Sequence, residues 1–77
     1  MRYTIKPISV PNSRASQEVR ATARPKPEPV FALDAETDAE LRTLIRERFR
    51  RLGRSVRCIN HVDAADPSKL VVYVEER

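Results

Sequence analysis

Between Thr37 and Gly53 the sequence marks a helix at both ends, and in a chain of 77 residues such a helix leaves room for little more than one small sheet beneath it. Leu41, Leu44, Ile45, Phe49 and Leu52 recur at steps of three and four, placing one apolar stripe on a 3.6-residue period. Thr37 followed by Glu40 has the spacing of a capping box, with the threonine oxygen taking an orphan amide and the glutamate reaching back to the cap. Gly53 supplies the left-handed residue that ends a helix at low cost. Glu36, Asp38 and Glu40 lie at the positive end of the macrodipole, Arg48, Arg50 and Arg51 at the negative end. Asp38 with Arg42, and Glu47 with Arg51, are acid-first pairs four apart.

The rest of the chain reads as strands that this stripe can cover. Residues 2–10 form a first strand whose parity slips around Pro7, a slip that a bulge or an edge position would accommodate. Residues 11–16 make a turn, and Gln17 to Arg24 alternates Val19, Ala21 and Ala23 against Glu18, Arg20, Thr22 and Arg24, so residues 1–24 are expected as an N-terminal hairpin. In Pro25-Lys26-Pro27-Glu28-Pro29 every second residue is proline, which predicts an extended, unpaired connector. Residues 30–77 then hold a short strand or packing segment at 30–33, the helix, and two strands at 55–62 and 70–75.

If Val62 opposes Leu70, the last hairpin collects Val56, Cys58, Val62, Leu70, Val72 and Val74 on a face turned to the helix. The opposite face carries Ile59, His61, Val71 and Tyr73, with Arg57 across from Glu75. The predicted fold is one α+β domain, a small antiparallel sheet in the order β-β-(β)-α-β-β covered on one face by a single amphipathic helix. A one-layer sheet should leave its far side polar. The apolar group Ile59, His61, Val71 and Tyr73 is therefore a candidate protein contact patch.

Chemistry is sparse. Cys58 and His61 are three apart on a strand, which turns them to opposite faces and prevents joint chelation or a thiol–imidazole pair. Asp63 and Asp66 lack the regular oxygen spacing of a calcium loop and suit turn formation before Pro67. The single glycine, Gly53, leaves no phosphate-cradling loop. No cofactor, metal or catalytic residue is assigned, and the expectation is a non-enzymatic protein.

Charge gives the second candidate. Residues 42–57 carry seven arginines against one glutamate in a chain of net charge +4. Arg42, Arg46 and Arg50 form a ridge that Arg51 and Arg54 continue, suited to an acidic partner or a phosphate backbone. Neither a nucleic-acid-binding motif nor a row of aromatics accompanies it. The lone cysteine excludes an internal disulfide and fits a reducing, cytoplasmic setting. No apolar run approaches the ~20 residues of a membrane span, and the helix stripe is needed by the sheet, so no membrane partner is expected.

The expected function is a small binding or accessory protein acting by protein–protein contact, with a homodimer among the expected forms. That profile is common among regulators and inhibitors of bacteria and their phages. Nucleic-acid binding through the arginine ridge is the alternative.

Overall fold

The helix forms where the sequence marks it. In a computed structural model describing residues 1–76, α2 spans Asp38–Arg51. Thr37 Oγ1 accepts the Glu40 amide at 3.1 Å, while the Glu40 carboxylate takes the Glu36 amide at 3.3 Å, one residue before the expected cap amide. Gly53 has φ 72°. The Gly53 amide donates to Arg50 O and the Arg54 amide to Phe49 O, the paired bonds of a Schellman ending. No other atom lies near enough to crowd a side chain at Gly53, so backbone conformation selects glycine there.

Beneath α2 lies a mixed sheet. β1 (Arg2–Val10) and β5 (Asp66–Glu75) are its internal strands and pair in parallel, and β5 pairs antiparallel with β4 (Val56–Asp63). The other edge of β1 is shared by β2 (Lys26–Pro27) and β3 (Phe31–Asp34), both antiparallel to it. The α+β class and the one-sided helix cover stand. The sheet is mixed rather than antiparallel because its first and last strands lie side by side in the same direction.

Five local expectations are corrected. Gln17 to Arg24 is not a strand: Gln17–Thr22 forms a short helix, α1, whose N-cap Ser16 accepts the Val19 amide. Glu18, Arg20 and Ala21 favour helix, and the edge of β1 that a hairpin would use belongs to β2 and β3. The proline-rich stretch is extended but not unpaired, since Ser9 opposes Lys26, Ile8 opposes Pro27, and the Glu28 amide donates to Pro7 O.

Pro7 requires no bulge in β1. Tyr3, Ile5, Pro7 and Ser9 all face the helix and are buried, so Ile8 and Val10 simply belong to the other face. In a strand the nitrogen and carbonyl of one residue point to the same edge. The missing amide of Pro7 therefore faces the join between β2 and β3, where no ladder bond is interrupted.

The last hairpin has a different register. His61 opposes Leu70, Ile59 opposes Val72 and Cys58 opposes Tyr73, one residue away from expectation. A one-residue shift exchanges the faces of a strand. Ala64 and Ala65 make the turn, closed by the Ala65 amide on Asp63 Oδ1. Asp66 then accepts the amide and hydroxyl of Ser68 as the strand bulges past Pro67. A second irregularity at Arg57 restores Val56 to the helix side opposite Val74.

Thus Ile59 is a core residue at 5% exposure, whereas Cys58 is exposed and Val62 is 56% exposed. The core is Tyr3, Ile5, Ala35, Leu41, Ile45, Phe49, Ile59, Leu70, Val72 and Val74, with Leu44 and Val56 packed at its margin. Leu52, expected in the stripe, is 46% exposed. It is the cap residue, already past the last helical turn. Arg77, the last residue of the expected 30–77 unit, lies outside the described residues.

Candidate docking surfaces

Because α2 covers one side of the sheet, alternation sends every second strand residue to the other. The pairings assemble a band across that outer face: Pro27 beside Ile8, Ile8 beside Tyr73, Tyr73 beside Cys58. Val71 and Val10 flank it along their strands, in rows with Lys6 and Asn60 and with Glu75. Ile8, Val10, Val71 and Tyr73 are each partly exposed.

Of the expected patch, the structure keeps Val71 and Tyr73 together and removes Ile59 and His61. Ile59 lies under the helix. His61 opposes inward-facing Leu70 and brings Nε2 to 4.0 Å from Asp38 Oδ1 at the helix N-terminus. Cys58 and His61 therefore lie on opposite sides of the sheet. Ile8 and Val10, which complete the band, are not legible as part of it in the sequence, because their neighbour β5 is some sixty residues downstream and the pairing is parallel. Their parity slip around Pro7 was the available signal.

No element of the described residues covers this band. Ser13 reaches the face, donating its amide to Glu75 Oε1 at 2.6 Å, and Arg57 stands 3.6 Å from the same carboxylate. The chain then turns into α1, which buries none of its residues.

The five arginines of the expected ridge separate into two groups. Arg54 is internal. It forks onto Glu28 at 2.7 and 2.6 Å, donates Nε to Glu75 O at 2.9 Å and reaches Ser9 Oγ at 3.3 Å. Its bidentate hydrogen bonds hold the Glu28 carboxyl below the usual carboxylate range, and Glu28 in turn raises the Arg54 guanidinium. Arg42 is occupied as well, by Asp38 at 2.7 Å and Ile59 O at 3.5 Å. Arg46, Arg50 and Arg51 are exposed, with no ion pair among the described residues.

Arg48 stacks 3.9 Å from the Phe31 ring centroid. Beside it a shallow groove between α2 and β3 is lined by Leu33, Leu44, Glu47, Arg48, Arg51 and Leu52.

Among the described residues no three His, Cys, Asp or Glu side chains gather in a metal-holding group, and no helix is long and apolar enough to cross a membrane. Comparison of the chain with protein-family models, curated proteins and solved structures gave no match.

Proposed function

We propose that this is a non-enzymatic binding protein that acts by protein–protein contact through the outer face of its sheet. The observation that carries this proposal is the unbroken row Pro27–Ile8–Tyr73–Cys58, bordered by Val71 and Val10, on a face that no described element covers. Apolar side chains in contact across adjacent strands form one surface, and a continuous apolar surface bordered by charge favours association. Tyr73 supplies the amphipathic anchor typical of interface centres. A small regulator or inhibitor working in the cytoplasm fits such a module. The free arginines Arg46, Arg50 and Arg51 favour a second reading, contact with nucleic acid through the far side of α2.

One set of affinity captures separates the two. Immobilised protein is compared with Val71→Glu and with the double variant Arg46→Glu/Arg50→Glu, each with and without nuclease. Docking through the sheet predicts partners lost with Val71→Glu, kept with the arginine variant and indifferent to nuclease. Capture that survives Val71→Glu but fails with the arginine variant or after nuclease would overturn it in favour of nucleic acid.

A further inference from the structure

We infer that the outer sheet face is covered by a second copy of this chain, the two sheets packing face to face about a two-fold axis. This rests on the reading of that face as a docking surface and names its occupant. Size supports it first. The chain exposes 5466 Å², against roughly 4,800 Å² for a compact monomer of its mass. Part of that excess belongs to α1, which buries none of its residues, so the surface left for a partner is shared by α1 and the open sheet face. The radius of gyration agrees, at 13.0 Å where a compact chain of this length has about 11.5 Å.

The pattern on the face is the second support. An isologous interface must be complementary to itself. The row Pro27–Ile8–Tyr73–Cys58 crosses the strands with Lys6 one row to one side and Glu75 one row to the other. A two-fold axis lying across the strands lays this apolar row on its own copy. It also keeps the lysines of the two copies apart, setting the Lys6 row of one against the Val10 row of its partner, where the Glu75 carboxylate is already engaged by Ser13 and Arg57. An axis along the strands would instead bring the lysines of the two copies together, and like charges in contact across an interface are penalised. The charge arrangement therefore selects the crosswise axis.

α1 is the third support. Six residues are too few for a helix to persist by propensity alone, and this one, which leaves the face just after Ser13, has Val19 exposed and nothing buried. A second copy against the face offers α1 a surface to rest on.

Cys58, exposed in the apolar row, reports occupancy of the face without any substitution. Sedimentation equilibrium over a wide concentration range is combined with the rate at which a small aromatic disulfide reacts with the thiol. The expected result is a mass twice 8.8 kDa, with Cys58 reacting at least tenfold more slowly in the dimeric range than at high dilution. Val71→Glu should return the monomer mass and the fast rate with an unchanged far-ultraviolet circular dichroism spectrum. A protein that stays monomeric with a fast thiol at every concentration overturns self-association while leaving a different protein as the occupant. A dimer in which Cys58 stays fast and Val71→Glu has no effect overturns the face itself as the docking surface.

Discussion

Arg54 illustrates how a side chain's function depends on what its neighbours in space require. In the sequence it extends an arginine ridge. In the fold, the Schellman ending of α2 turns it back over the sheet, where its fork meets a glutamate 26 positions upstream and fastens the β2–β3 join to the end of the helix. The local signal, an arginine directly after the cap glycine, was present, but nothing local identified Glu28 as its partner. The pair is largely shielded, with side-chain exposures of 12% and 29%, so breaking it removes two charge-assisted bonds with little help from water. Glu28→Gln should cost about 2 kcal/mol at neutral pH. The pH dependence follows from the lowered carboxyl. Glu28 gives its full contribution above its unfolded value and loses it as acid protonates the folded form, below the ordinary glutamate range. Urea midpoints measured against pH should show Glu28→Gln less stable than the parent near neutrality and the two converging in acid. A constant gap through the acid range would show that the carboxylate charge is not the stabilising element.

Among the elements, α2 was legible almost to the residue because a helix is specified by neighbours: caps, stripe and end charges all fall within one turn of what they act on. The strands were legible as strands but not in register. Pairing between β4 and β5 depends on a two-residue turn at Ala64-Ala65 and on irregularities near Pro67 and Arg57. A single residue of slip exchanged the core for the surface, sending Ile59 inward and Cys58 and Val62 outward. Half of the candidate contact patch was lost by that exchange, and Ile8 and Val10 were recovered only through the parallel partner of β1. The observed register makes a sharp prediction. Ile59→Ala should lower stability by about 2–5 kcal/mol. Val62→Ala, on an exposed side chain, should stay within about 0.5 kcal/mol. Chemical denaturation of the two variants beside the parent checks this, and the reverse order of effects would restore the register in which Val62 faces the helix.

The described residues share a single core, and their strands are joined by contacts distant in sequence. β1 and β5 lie side by side although they stand at opposite ends of the sequence, so closing the sheet commits nearly the entire chain. Stability for a chain of this length is about 4–12 kcal/mol in total, and no disulfide supplements it. Phe49 lies where the parts meet. It is 3% exposed, its ring stands edge-on to Phe31 at 6.0 Å, and Arg54 lies 5.7 Å above it. Phe49→Ala therefore removes contacts between α2, β3 and the helix exit at once, at a cost of about 3–5 kcal/mol. That is a large share of the total, and there is no second core to which folding could retreat. The loss should accordingly be global: helix and sheet signals disappear in one transition, at a midpoint lowered by tens of degrees, or are absent at 25 °C. Leu52→Ala, at the exposed helix cap, should leave the melt close to that of the parent. Thermal melts followed by circular dichroism at helix and sheet wavelengths measure both variants. If Phe49→Ala melted with Leu52→Ala and the parent, the core would not be organised around α2.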